Sequence, residues 1–115
     1  MGLIARGWIV LASYPFTDLS ATKRRPALVV SASDRTGDDC ILAFITSRTG
    51  NVEPTDLLIG ADHPDFAATG LRMPSVVRCG KLMTLNYTLL IGRLGRLSDH
   101  LMAEVNIKLR RALAL

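Results

Sequence analysis

The run Lys23-Arg24-Arg25-Pro26-Ala27-Leu28-Val29-Val30-Ser31 sets three cations against an apolar, β-branched segment. A polar, turn-rich stretch from Thr17 to Arg24 precedes it. Arg25-Pro26 predicts the start of a strand over Ala27–Ser31, since a proline at a strand's beginning removes no central ladder hydrogen bond. A guanidinium on that stiff support, beside a loop, suits holding a phosphate. The same charges could equally be gatekeepers flanking an aggregation-prone strand. A second candidate is Phe44-Ile45-Thr46-Ser47-Arg48, where two hydroxyls and a cation follow the longest apolar run. Such hydroxyls either bond a phosphate oxygen or satisfy the backbone at a strand end. The third is Val76-Val77-Arg78-Cys79-Gly80-Lys81, with two cations astride a glycine where backbone can approach a ligand closely.

Charge distribution strengthens the case for an anionic partner. The formal charge is +4, and no Asp or Glu falls between Phe66 and Ser98, whereas Arg72, Arg78, Lys81, Arg93 and Arg96 do. Most of the cations are Arg, whose planar fork matches phosphate better than an ammonium does. A solvated basic surface would look the same in composition. Cys40 and Cys79 each lie in an apolar stretch and read as buried free thiols. They and His63 and His100 are scattered singly, without the short spacing of a metal-ligand pair, so neither a metal nor another cofactor is expected. The apolar run Cys40–Ile45 is too short to span a bilayer, and Arg6 interrupts the only stretch resembling a leader, so a cytoplasmic protein without a membrane partner is expected.

The elements that must position these groups are mostly short strands in one domain, 1–115. Trp8–Tyr14 is rich in β-formers and ends at Pro15; Cys40–Thr46 is continuously apolar and therefore covered on both faces; Thr55–Ile59 is short. Gly60–Pro74 is punctuated by glycine and proline. Ser75–Cys79 and Lys81–Leu85 read as strands broken at Gly80, and Leu89–Leu94 as one more. Ser98 then caps a helix carrying Leu101, Val105, Leu109 and Leu113 as an apolar stripe. Glu104 and Lys108 stand at i, i+4 on it. A mainly β fold, a strongly curved sheet or open barrel with a C-terminal α-helix packed on it, follows.

With these pieces in order, the sequence resembles the MazF/PemK toxins of type II toxin–antitoxin systems. The resemblance runs through Gly7, Ile9-Val10-Leu11, Pro15-Phe16-Thr17-Asp18, Lys23 to Ser31, Ile45-Thr46, Ser75-Val76-Val77-Arg78, Lys81-Leu82, Thr84-Leu85, Ile91-Gly92, Leu94-Gly95, Leu97-Ser98 and the last helix. It implies an SH3-like open barrel and a two-fold homodimer. It also implies cleavage of single-stranded RNA at short sequences, and a cognate antitoxin whose disordered acidic segment covers the groove. The family's catalytic Arg falls on Arg25, its catalytic Thr on Thr46, and the later-strand Arg of PemK-type members on Arg78. Thr17, Lys23, Arg24, Ser47, Arg48, Ser75 and Lys81 are the RNA-binding positions it suggests. The chain departs from the pattern in three places. Gly80 stands where PemK-type members have an Asp, no His lies between Thr17 and Lys23, and Trp8 replaces a common acidic residue.

Metal-free RNA cleavage uses the substrate's 2′-OH as nucleophile and needs negative charge on the phosphorane stabilised. Arg25 and Arg78 suit that task as clamps, while an Arg, with a pKa above about 12, is a poor proton donor. Thr46 would orient the phosphate or the 2′-OH. A non-catalytic barrel that binds nucleic acid or protein, or a CcdB-type gyrase inhibitor of the same shape, is the alternative. Gly80 favours it, and Arg25 and Thr46 oppose it.

Overall fold

The computed structural model describes residues 4–15 and 22–115 of the chain. Six strands precede one helix: β1 (Trp8–Pro15), β2 (Thr22–Val29), β3 (Asp39–Thr46), β4 (Asp56–Ile59), β5 (Ser75–Asn86), β6 (Leu90–Arg96) and α1 (Asp99–Leu113). Every pairing is antiparallel and the order across the sheet is β4-β5-β3-β2-β1-β6, so β4 and β6 are edges and the barrel is open. The mainly β architecture with a C-terminal helix is the one expected.

Each face of the sheet carries its own apolar cluster, which is why the central strands read as continuous apolar runs rather than as alternation. Ile9, Leu28, Ala43, Ile45, Ile59 and Val77 join Leu101, Met102 and Val105 of α1 on one face. Val10, Ala12, Ala27, Val29, Cys40, Leu42, Leu85 and Leu90 form the cluster on the other. Side chains alternate along a strand, so Cys40 and Leu42 serve one cluster while Ala43 and Ile45 serve the other. Full burial of each Leu, Ile or Val contributes about 1.5–3 kcal/mol, and Leu42 and Ile45 anchor β3 to the two clusters in this way.

The helix begins as the sequence indicates. Ser98 Oγ accepts from the Leu101 amide at 3.2 Å and donates to the Asp65 carboxylate at 2.6 Å, which ties the helix start to the preceding loop. Leu101 and Val105 are buried and Leu109 packs against the cluster, but Leu113 is exposed, so the stripe outlasts the surface it covers. Glu104 lies 4.0 Å from His100, one turn back, rather than against Lys108. Arg6 fastens the helix to the sheet, with Nε donating to the Val30 carbonyl at 2.9 Å and Nη2 to Asn106 Oδ1 at 2.6 Å.

Several boundaries differ from expectation by a residue or two, β2 ending at Val29 and not Ser31, β4 starting at Asp56 and not Thr55, and β6 running to Arg96 and not Leu94; differences in β2 and β5 shape the site. β1 includes Pro15, a shift of one residue at a strand end. β2 starts at Thr22, so Lys23, Arg24 and Arg25 are strand residues and not the end of a loop, and Pro26 lies inside the strand. The proline is tolerated because the ladder to β3 covers only Ala27–Val29, leaving β2 beyond that point paired to β1 alone. β5 is one strand and not two. Its register on β3 passes from Ala43↔Leu82 to Phe44↔Arg78, so Cys79, Gly80 and Lys81 bulge out of the ladder instead of breaking it.

Candidate nucleic-acid interface

The two irregularities meet. Where β2 parts from β3 at Arg25-Pro26, and β5 bulges opposite Phe44, a hollow of about 340 Å³ opens, lined by Arg25, Phe44, Thr46, Ser47, Arg48, Arg78 and Lys81. It lies on the face away from α1. Arg25 is opposite Ala12 on β1, and Ala12 and Ala27 belong to the cluster of that face. Alternation therefore turns Arg24 to the face that α1 covers farther along the sheet.

Thr46, half-buried at the end of β3, accepts a hydrogen bond from the Arg48 amide at 3.1 Å, a contact that also folds the chain back so that Ser47 and Arg48 line the hollow. A hydroxyl that accepts this bond keeps its own hydrogen for a phosphate oxygen. Lys81 reaches over the Phe44 ring, with Nζ 5.3 Å from its centre. That contact holds an exposed ammonium in place at little desolvation cost.

Arg78 is held differently. Its Nη1 donates to Asp56 Oδ2 at 3.0 Å, an ion pair in which the Arg side chain is 23% exposed and the Asp side chain 2%. The same oxygen accepts from the Glu53 amide at 2.9 Å. Asp56 lies directly across the β4–β5 ladder from Arg78. Arg78 and Lys81 also border a second hollow of about 500 Å³ with Glu53, Thr55, Asp56 and Gly80. Gly80 keeps this space open: a Cβ there would stand 3.0 Å from Thr55 Oγ1. Behind it, burial raises the Cys79 thiol to about 11, helped by the Asp56 charge and partly offset by Lys108. The Cys40 thiol is raised as well, first by burial and then by Asp39, against Arg35. Both cysteines are free and buried.

The three cation-bearing segments singled out in the sequence therefore supply one cleft from β2, β3 and β5. Lys23 and Arg24 lie beside it on β2 without lining it. Ser75 is placed elsewhere: it is buried, its hydroxyl donates to the Met73 carbonyl at 2.9 Å, and it borders a separate hollow with Leu11, Pro26 and Leu94. Thr17 lies outside the described residues. Sequence reading missed Asp56. The signal was there, a carboxylate opening the apolar segment Leu57-Leu58-Ile59, but its partner is 22 residues away and only the ladder joins them. Among the described residues, no three His, Cys, Asp or Glu side chains gather as a metal-ligand set, and no helix is long and apolar enough to cross a membrane.

The family profile described as PemK-like, MazF-like toxin of type II toxin–antitoxin system matches residues 5–113. The chain belongs to this toxin family. Solved structures give the same architecture. An endoribonuclease from mycobacterial species is 26% identical, with 100% of this chain and 95% of that one covered at a TM-score of 0.74. An endoribonuclease in complex with its cognate antitoxin, also from mycobacterial species, is 23% identical over 97% and 96% of the two chains, with a TM-score of 0.76. A MazE–MazF complex from Deinococcus radiodurans is 21% identical over 100% and 99%, with a TM-score of 0.79. The last two bear on the fold alone. A comparison with curated proteins gave no match. The second hollow, which Gly80 borders, takes its carboxylates from Glu53 and from Asp56 on the neighbouring strand.

Proposed function

We propose that this PemK/MazF-like toxin is an endoribonuclease that cleaves single-stranded RNA without a metal ion, in the cleft between β2, β3 and β5. The observation that carries the reading is the convergence of Arg25, Thr46 and Arg78 on one hollow, together with Ser47, Arg48 and Lys81. The substrate's 2′-oxygen attacks the adjacent phosphorus as its proton leaves to solvent or a base. The P–O5′ bond then breaks and the 5′-oxygen takes up a proton, giving a 2′,3′-cyclic phosphate and a 5′-OH. Arg25 and Arg78 stabilise the charge that builds on the phosphorane, and Thr46 orients a phosphate oxygen or the 2′-OH. Lys81, Arg48 and Ser47 hold flanking phosphates, with Lys23 and Arg24 adding longer-range attraction.

The working species is a homodimer, and the partner that silences it is a cognate antitoxin whose disordered acidic segment lies along the cationic cleft. The test is incubation of the purified protein with a mixed-sequence RNA in EDTA, with mapping of the new ends. Cyclic-phosphate and 5′-OH ends formed in EDTA are expected. Activity that disappears in EDTA and returns with Mg²⁺ would overturn the metal-free mechanism. RNA that is bound but never cut would leave a non-catalytic binding module.

A further inference from the structure

We propose that Asp56 is a positioning residue of the nuclease centre, holding Arg78 by one guanidinium nitrogen so that the rest of the fork faces the RNA phosphate; this rests on the RNA-cleaving reading above. Among the described Asp, Glu, Lys and Arg residues, Asp56 alone is buried. A buried carboxylate is costly unless it is paired, and a buried ion pair adds little stability over an apolar pair of the same size. Closing the turn to Glu53 needs an acceptor but not a full charge, and the ion pair itself adds little stability on a strand whose other residues are Leu57, Leu58 and Ile59. Geometry gives a reason for the charge. The β4–β5 register sets Asp56 opposite Arg78, and the carboxylate is itself fixed by the Glu53 amide. A rigid acceptor thus holds Nη1 of a long, otherwise mobile side chain. No other described residue bonds the guanidinium. The remaining nitrogens are left for the two hollows, both of which Arg78 lines. A guanidinium aimed in advance loses less freedom when the phosphorane forms, and a displacement of about 1 Å at such a donor can cost about a hundredfold in rate.

The test uses the full chain and an RNA containing a mapped cleavage site. Single-turnover cleavage reads the rate, and the same RNA with a 2′-deoxy nucleotide at that site reads affinity. Asp56→Asn keeps the shape and an acceptor oxygen but removes the charge. We expect its rate to fall about tenfold to a hundredfold while affinity stays unchanged or tightens, because a negative charge has left the cleft. In an Arg78→Gln background the same change should cause no further loss, since Asp56 acts through Arg78. A rate equal to wild type, losses that multiply, or affinity falling in step with rate would each overturn the proposal. A second measurement needs no Asp56 variant. In ¹⁵N spectra of the wild type at low temperature, Arg78, assigned by its absence in Arg78→Lys, should show separate Nη signals for a guanidinium that does not rotate. One averaged signal would overturn it. Wild-type protein that cuts no RNA sinks this inference together with the reading beneath it, whereas wild-type cleavage matched by Asp56→Asn sinks this inference alone.

Discussion

Two hollows of the molecule both carry an arginine and differ in what that arginine rests on. In the cleft between β2, β3 and β5, Arg78 is bonded to a buried carboxylate, and the walls offer hydroxyls and further cations. In the hollow between β1 and β6, of about 240 Å³, the walls are Ile4, Trp8, Val10, Leu90, Ile91, Gly92 and Arg93, and the Arg93 guanidinium lies 4.3 Å from the centre of a Trp8 ring. The first arrangement aims donors into space that a phosphate can fill. The second folds a cation down onto an aromatic face, where it covers apolar surface. Composition counts both as basic surface. What separates them is that a phosphate needs several donors converging on one point, and an arginine stacked on an indole contributes only one, turned aside.

The largest effect that would sharpen this contrast is at Arg25. Removing one preorganised donor to the transition-state phosphate costs about 3–4 kcal/mol, roughly a hundred- to thousandfold in rate. Arg25 is exposed, so Arg25→Ala should unfold at the wild-type denaturant midpoint while losing cleavage. Arg24→Ala should weaken affinity only modestly, because the alternation along β2 that puts Arg25 in the cleft turns Arg24 away. If Arg24→Ala were inactive and Arg25→Ala nearly normal, the assignment of Arg25 as a clamp would fall.

Trp8→Ala should give the opposite pattern. Trp8 packs beside the Val10, Leu85 and Leu90 cluster, and truncating a large aromatic there should lower stability by about 2–4 kcal/mol. The protein that remains folded should cleave at the wild-type rate. Denaturant unfolding and single-turnover cleavage on the same preparation separate the two quantities. A Trp8 variant that folds normally yet loses RNA affinity would mean that a base stacks in this hollow, and the two regions would no longer differ in kind.

Much of this was readable before the structure. The strands, the Ser98 cap and the terminal helix follow from β-branched runs, a hydroxyl before an acidic first turn, and four-residue spacing of leucine and valine. Three segments with cations at strand ends were also visible, as was their likeness to one toxin family. What the sequence hid was long-range pairing. Pro26 reads as a strand start because a proline in mid-strand is rare, and only the early end of the β2–β3 ladder makes it tolerable. Gly80 reads as a break because a bulge and a break carry the same local signal, and only the jump from Leu82 to Arg78 opposite β3 distinguishes them. Asp56 went unnoticed because its partner Arg78 lies 22 residues away in sequence, and Ser75 was drawn toward the site by the family resemblance although its hydroxyl turns to Met73.

The smallest expected effect tests the comparison most directly, because it removes the same kind of charge from each hollow. Lys81 lines the cleft, and Arg93 lies across the sheet on the edge strand β6, opposite Val10. Lys81→Ala and Arg93→Ala lower the net charge equally, so any long-range attraction for RNA falls equally in both. A cation that neutralises a phosphate of a single strand also releases counterions, which adds about 0.7 to the slope of log affinity against log salt. Lys81→Ala should therefore flatten that slope by about 0.7, and Arg93→Ala should leave it unchanged. Arg93→Ala should instead cost about 0.5–1 kcal/mol of stability, the contribution of an exposed cation–π contact. Fluorescence titrations of one RNA at four or five salt concentrations, with wild type and both variants, measure the slopes. Equal flattening by the two substitutions would place the RNA backbone across the face from Lys81 to Arg93, and the indole under Arg93 would then be part of the binding surface.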